Sequence, residues 1–228
     1  MERRARFLDG VGELEHTGER AGVGEAAVRD RVEVREIEDG ADPPQARGDV
    51  EDVLGGAELV VFHPGFLLGR ERQAALAALV EQLADLRERL EAKGRGIPFG
   101  IEIMGRVREL GTAEDVFQVA ARLPWVRPVL DFAHLHAVTN GGFTDVGAFA
   151  GVLELADSVQ EYGSPFHIHF SDIAFANRNE TKHLPYGEGT LRAEPLAEAL
   201  TRFERPATVI SESPDEESSQ AIRAILGA

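Results

Sequence analysis

The sequence contains no cysteine, and this absence excludes several classes of site. None of the 228 residues can supply a disulfide scaffold, a thiolate zinc finger, an iron–sulfur cluster or a cysteine nucleophile. Any bound metal ion must therefore be held by histidine, aspartate and glutamate. The chain is 43% hydrophobic and 28% charged, so it has enough apolar side chains to bury a sizeable core.

Basic residues are also scarce. The chain has 24 Lys and Arg against 40 Asp and Glu, a net charge of −16. Proteins that coat nucleic acid over a broad surface are usually basic, so this composition argues against that mode and is compatible only with a local cationic groove. No apolar run approaches the length of a membrane-spanning helix. Residues 1–6 lack the apolar core of a signal peptide, and we expect a cytoplasmic protein.

The residue pattern changes near residue 58 and predicts two segments, 1–57 and 58–228. The first is poorly patterned: it predicts one helix over 11–30, one half-exposed strand over 31–38 and a linker over 41–48. The second alternates short apolar strands with amphipathic helices five times. Its strands are expected at 59–62, 99–103, 126–130, 166–170 and 207–210, with helices near 70–93, 113–122, 145–161, 193–203 and 215–226. A long polar loop is expected at 171–192.

Repeated strand–helix units with short apolar strands indicate an α/β fold with a parallel sheet covered by helices. No Gly-x-Gly-x-x-Gly motif follows a strand, and no Walker loop is present. This absence disfavours a dinucleotide-binding doubly wound sheet and favours a (β/α) barrel of the TIM type. One doubtful strand and five clear ones cannot close an eight-stranded barrel, so we expect the barrel to be incomplete at its N-terminal end.

Each of the five strands ends in an ionisable residue, and in a parallel barrel all C-terminal strand ends face one mouth. Glu102, between Ile101 and Ile103, is the most informative, because a buried carboxylate is costly unless it is paired or bound to metal. A single strand-end histidine is more often a hydrogen-bonded structural residue, so the metal interpretation depends on the whole set. The strand-end candidates are His63, Glu102, Asp131, His169 and Glu212, with His134 one turn after Asp131.

These nitrogen and oxygen donors suit Zn²⁺, Mn²⁺ or Co²⁺ rather than a soft metal. His136 and His167 are weaker candidates for ligands. Basic residues also follow the strands: Arg70, Arg106, Arg108, Arg178 and Lys182. They are either ordinary solvated loop charges or a local phosphate-binding rim.

Six motifs in order resemble those of one enzyme family. They are Val61–Gly65, Ile101-Glu102, Leu130–His134, His169–Asp172, Lys182-His183 with Gly187–Gly189, and Ser211-Glu212. In this order they resemble endonuclease IV (AP endonuclease family 2), a zinc-dependent family within the xylose isomerase-like TIM barrels. The Asp-Phe-Ala-His-Leu-His and His-Leu-Pro variants are similar to its divergent archaeal branch.

The resemblance implies a (β/α)₈ barrel with up to three zinc ions. By this resemblance His63 and Glu102 hold the first ion, and Glu102 bridges to a second that is completed by Asp131, His169 and Glu212. His134 and His183 hold the third. The implied catalytic carboxylates are Glu102 and Glu212. The implied activity is hydrolysis of DNA 5′ to an apurinic/apyrimidinic site, as in base excision repair.

Two departures from the family pattern keep other interpretations open. Thr181 stands where the family has an aspartate two residues before the loop histidine, so either Glu180 substitutes or the third site is weak. The family's third-strand histidine has no counterpart at an apolar strand end in residues 1–57. Either the start of the chain is truncated, misplaced or out of frame, or the barrel is a genuine open variant.

Two alternative functions follow from these departures. A sugar isomerase or epimerase of the same superfamily needs only Glu102, Asp131, His169 and Glu212 around one ion. A degenerate barrel without catalysis would bind metal or a partner protein.

Overall fold

The computed structural model describes residues 32–36, 59–160 and 164–227. The predicted helix over 11–30 and the linker over 41–48 lie outside these residues. Six strands of one parallel sheet are β1 (Val32–Glu36), β2 (Val60–Phe62), β3 (Phe99–Glu102), β4 (Val126–Asp131), β5 (Phe166–Phe170) and β8 (Ala207–Ser211). Their order across the sheet is β1-β8-β5-β4-β3-β2.

The order of the strands is that of an incomplete barrel. β1 pairs in parallel with β8, which is the pairing that closes an α/β barrel. β1 and β2 are neighbours in the chain but lie at opposite edges of the described sheet. The α/β class and the parallel sheet predicted from the sequence are confirmed, and so is a strand within residues 31–38.

Six helices are described: α1 (Arg72–Glu91), α2 (Ala113–Arg122), α3 (Phe132–Val138), α4 (Val146–Val159), α5 (Glu194–Leu200) and α6 (Glu216–Leu226). Side-chain caps fix several starts; Thr112 and Asp115 form a capping box at α2, and Asp145 caps α4. Helix α3 was not predicted from the sequence. It has only seven residues, nearly all buried, so it shows no amphipathic period.

The core lies between the sheet and the helices. Ile101, Leu130 and Ile168 of the central strands are fully buried, as is Phe149 of α4. The ring of Phe132 packs on Phe149 with centroids 4.9 Å apart. This packing holds the C-terminal strand ends in fixed positions, which is what a site built from those ends requires.

The segment expected to be a long polar loop contains a hairpin. β6 (Asp172–Ala176) and β7 (Asn179–Leu184) pair antiparallel. Asn177 and Arg178 both have positive φ at the tip, as in the tight turns that hairpins favour. The prediction of a loop was wrong because β7 is polar and mostly outside the core, so it lacks apolar alternation.

Among the described residues, no helix is long and apolar enough to cross a membrane.

Candidate metal centre

Four ionisable side chains meet at the C-terminal ends of adjacent strands. Glu102 ends β3, Asp131 ends β4, His169 lies one residue before the end of β5, and Glu212 follows β8. One ligand atom from each lies within 4.8 Å of the others. They converge because the strands pair in register, with Asp131 opposite His169. We call these four residues cluster A.

A second group lies beside the first. His134 of α3 and Glu180 and His183 of β7 also bring one ligand atom each within 4.8 Å of one another. His134 Nε2 is 2.7 Å from Glu180 Oε2. We call these three residues cluster B.

A β-bulge explains how β7 contributes two residues to cluster B. Lys182 pairs with Ala174 and Glu180 with Phe175, so Thr181 has no partner in the ladder. Residues three apart on a regular strand point to opposite faces; the extra residue brings Glu180 and His183 to the same site. Thr181 is exposed, and its hydroxyl donates to the Ala174 carbonyl at 2.9 Å. Of the two alternatives left by the sequence, the geometry therefore favours Glu180 as the carboxylate beside the histidines.

The two clusters are in direct contact. His134 Nδ1 lies 3.5 Å from Glu102 Oε1 and 3.4 Å from Asp131 Oδ2. Glu212 Oε1 lies 3.0 Å from His169 Nδ1, and its Oε2 lies 3.9 Å from His183 Nδ1. Glu212 therefore faces both clusters.

His63 lies at the outer side of cluster A. Its Nε2 is 3.2 Å from Glu102 Oε2, and its side chain is 60% exposed. The other oxygen of Glu102, Oε1, faces His169 Nδ1 at 3.4 Å. The two oxygens of Glu102 therefore point to different groups of nitrogen atoms, as a bridging carboxylate requires.

Hydrogen bonds orient two of the histidines. Nδ1 of His134 donates to the Ile103 carbonyl at 2.8 Å, which leaves Nε2 directed toward Glu180 of cluster B. Nδ1 of His183 is hydrogen-bonded to the buried Ser171 hydroxyl at 2.7 Å. A hydrogen bond at one ring nitrogen is the usual way in which a protein presents the other to a metal.

Two buried atoms of cluster A have no hydrogen-bond partner: Asp131 Oδ2 and His169 Nδ1. They lie 4.0 Å apart. Nδ1 of His169 is close to Glu212, but the orientation is not that of a hydrogen bond. Burying an unsatisfied polar group costs about 1–3 kcal/mol. A divalent cation would satisfy both atoms and offset the three carboxylates, so the residues fit a metal ion.

The clusters also perturb one another's pKa values. Burial raises the pKa of Asp131 to about 7, and the neighbouring Glu212 and Glu102 add to the rise while His134 opposes it. Burial disfavours the charged form of His134, but the neighbouring carboxylates of Asp131, Glu180 and Glu102 outweigh the effect of burial. They raise the pKa of His134 to about 10. The pKa of His169 reaches about 10 for the same reasons, through Glu102, Glu212 and Asp131. Bound protons thus offset the carboxylates, and a metal ion would displace them.

The predicted phosphate rim is only partly gathered at the site. Arg106 lies at the site, because its guanidinium is 3.5 Å from Glu180 Oε1 and 3.5 Å from Glu109 Oε1. The Nε of Arg178 donates to the Val138 carbonyl at 2.8 Å, which ties the hairpin to α3. Arg70, Arg108 and Lys182 are exposed.

The weaker candidates lie outside both clusters. His136 is buried, and its Nδ1 accepts from the Phe143 amide while Nε2 donates to the Thr190 hydroxyl. This histidine links two loops. His167 is half-buried, with its ring 5.5 Å from that of His169.

Gly105, which was not among the predicted site residues, makes cluster B sterically possible. A Cβ on this residue would lie 2.6 Å from Glu180 Oε2 and 2.7 Å from His134 Cδ2. Its carbonyl also accepts from the Glu180 amide at 2.9 Å, so the backbone of β7 docks against it. A glycine a few residues after a strand is too common to have signalled this contact.

Gly105→Ala should weaken metal binding at cluster B and spare cluster A, because the new methyl group displaces Glu180 and His134. We expect the protein to lose the ion of cluster B at least about tenfold more readily, measured as metal content after dialysis and by titration. Gly151→Ala is the matched control, since nothing lies within 4 Å of a Cβ there. Equal metal content in both variants would contradict this role of Gly105.

Comparisons with known proteins support the fold seen here. The model of the xylose isomerase-like TIM barrel family matches residues 49–226. An uncharacterized protein of Methanocaldococcus jannaschii is 29% identical over 157 residues, which are 68% of this chain and 57% of that protein.

Solved structures give the same result. A D-tagatose 3-epimerase-like protein aligns with a TM-score of 0.57 and 22% identity, over 75% of this chain and 61% of that one. Endonuclease IV from Thermus thermophilus aligns with a TM-score of 0.50 and 18% identity, over 77% of this chain and 62% of that one. At these identities the likeness concerns the fold alone.

The chain therefore spans about three fifths of the length of the proteins it matches. The superfamily predicted from the sequence motifs is confirmed, whereas membership of the endonuclease IV branch stays a prediction. Because the family match covers most of the chain, the protein belongs to the xylose isomerase-like TIM barrel family.

Proposed function

We propose that this protein is a metal-dependent phosphodiesterase that uses more than one divalent ion and cleaves DNA at apurinic/apyrimidinic sites. The observation that carries the proposal is cluster B in contact with cluster A. Cluster A alone supplies enough ligands for one ion. A second group of two histidines and a carboxylate, 3.4–3.5 Å from the first, supplies further ligands of the kind that a second or third ion requires.

The ligand assignment follows the geometry and the resemblance to endonuclease IV. His63 and Glu102 would hold a first ion, cluster A a second and cluster B a third. Zinc is proposed, and Mn²⁺ or Co²⁺ accepts the same donors. When bound, such ions supply a water-derived nucleophile at neutral pH and stabilise the charge that develops on the phosphate and the leaving oxygen.

The chain's own residues have distinct roles in this proposal. Glu102 is buried and would hold the first two ions through its two oxygens. Glu212 is 20% exposed and opens toward the mouth. Burial opposes its ionisation, but His169 outweighs it and lowers the pKa of Glu212, so it remains a carboxylate beside an incoming phosphate. Arg106, next to cluster B, is placed to pair with a phosphate oxygen, and Arg70, Arg108, Arg178 and Lys182 would contact neighbouring phosphates.

A sugar isomerase or epimerase is the second candidate. It is favoured by the completeness of cluster A as a set of four ligands for one ion. The net charge of −16 also fits a small uncharged substrate better than a polyanion. In this case cluster B would have no catalytic part.

Glu180→Gln separates the two candidates, because it alters cluster B without touching cluster A. On a metal-loaded phosphodiesterase it should slow incision of an abasic-site duplex by about 100-fold or more, while cluster A keeps its ion. Glu188→Gln is the matched control: the same change on an exposed glutamate outside both clusters.

The measurements are the incision rate, the interconversion of ketoses and aldoses, and metal content. Wild-type protein that interconverts sugars at a rate unchanged by Glu180→Gln, and incises no abasic DNA, supports the isomerase. If the folded, metal-loaded protein has neither activity, the result supports a barrel without catalysis.

A further inference from the structure

The loop after β2 exposes two large apolar side chains at the barrel mouth. Phe66 is 64% exposed and Leu68 is 84% exposed; across residues 59–160 and 164–227 these are the large hydrophobic side chains that stand out in solvent. Leu68 also has a φ of +50°, a conformation that costs a branched non-glycine residue roughly 1 kcal/mol or more. Neither the exposure nor the backbone strain is compensated by packing within the described chain.

The loop is nevertheless held firmly. Phe66 forms an antiparallel bridge with Glu109, and the Leu110 amide donates to the Gly65 carbonyl at 3.1 Å. Arg70 closes a turn by donating its amide to the Leu67 carbonyl at 2.9 Å. The backbone that carries the two apolar side chains is therefore held in place by hydrogen bonds.

The loop lies close to the metal centre. Phe66 is three residues after His63, so their Cα atoms are at most about 11 Å apart. This distance is about three base steps along a duplex, at about 3.4 Å per step. Because His63 faces Glu102 of cluster A, a phosphate bound at the metal centre and a base within about three steps of it can be contacted at the same time.

Exposed arginines lie on this loop and on the segment that braces it, on an otherwise acidic protein. Arg70 lies on the same loop, and Arg106 and Arg108 lie on the segment that braces it; all three are exposed. Apolar or aromatic side chains among arginines are the combination that binds unstacked nucleic-acid bases, since arginine pairs with the backbone and the ring stacks on the base. An uncharged monosaccharide has no phosphate with which these arginines could pair.

We infer that Phe66 and Leu68 form a base-contacting edge of the substrate site, with Phe66 stacking on a base that flanks the abasic position and Leu68 packing beside it. This inference rests on the proposed function and names the residues that would select DNA with an abasic site. The contact favours DNA whose stacking is already interrupted, because an intact duplex would first have to unstack a base.

The test measures binding of the metal-loaded protein to a duplex that carries a stable abasic analogue with 2-aminopurine beside it. Phe66→Ala should weaken Kd about five- to 150-fold, the equivalent of about 1–3 kcal/mol of stacking, and should abolish the fluorescence change of the probe. Phe66→Trp should restore both. Leu68→Ala should weaken Kd less, and Arg122→Ala, an exposed change on α2, should leave Kd unchanged.

The outcomes separate this inference from the proposed function. If wild-type protein incises abasic DNA but Phe66→Ala and Leu68→Ala bind it as tightly, the inference is wrong and the proposed function stands. If the wild type neither binds nor incises, both are wrong. If the two substitutions convert a dimer to a monomer in sedimentation and leave Kd unaltered, the apolar pair is a self-association surface and the inference is overturned.

Discussion

Glu102→Gln should remove most of the bound metal and with it the activity. Glu102 is almost fully buried, and its two oxygens face His63 on one side and His169 on the other. An amide offers one neutral oxygen and directs an N–H₂ donor at the opposite nitrogen, so the carboxylate's charge and one of its two ligand atoms are lost together. We expect affinity at cluster A to fall by more than about 100-fold and two ions to be released rather than one.

Metal content by elemental analysis and titration with Zn²⁺ or Mn²⁺ measures this effect. Glu109→Gln is the matched control, because Glu109 is similarly buried, on the adjacent loop, and belongs to neither cluster. A Glu102→Gln protein with wild-type metal stoichiometry and affinity would refute the bridging role. Wild-type protein that takes up no divalent ion at all would refute the metal centre itself.

Asp172→Ala should cause the largest loss of stability. The Asp172 carboxylate is fully buried and accepts from the backbone amides of Ile173, Gly187, Gly189 and Leu191 at 2.8–3.2 Å, and from Arg192 at 3.1 Å. The Gly189 backbone approaches so closely that a Cβ there would lie 2.3 Å from Oδ1. Removing the carboxylate takes the acceptor from these amides and the charged partner from Arg192, which keeps its hydrogen bonds to the Gly189 and Leu191 carbonyls.

We expect the free energy of unfolding to fall by about 3–5 kcal/mol, or the melting temperature by about 6–20 °C. Urea unfolding of metal-free protein measures this without a contribution from bound ions. The control is Asp145→Ala, which removes the exposed cap of α4 and should cost about 0.5–2 kcal/mol. An Asp172→Ala loss no larger than the Asp145→Ala loss would show that the loop finds other acceptors.

Much of cluster A could be predicted from the sequence, because it depends on short-range patterns alone. Short apolar runs predict the strands, and parallel strands present all their C-terminal ends at one edge of the sheet. Glu102, Asp131, His169 and Glu212 could therefore be grouped although they are far apart in the chain. The long periodic helices were predicted for the same reason: their signal is local.

The carboxylate of cluster B, the Asp172 contacts and the exposed loop were decided by the tertiary structure. Whether Glu180 or Thr181 faces the histidines depends on one unpaired residue in β7, and a shift of one residue exchanges the two faces of a strand. The polar sequence of β7 gives no sign of that register. Gly105 approaches residues 29 and 75 positions away, and Asp172 accepts from residues 15 to 20 positions away. Strand β1 pairs with β8 at the other end of the chain. Such contacts follow from packing between distant segments, for which a single sequence carries no local pattern.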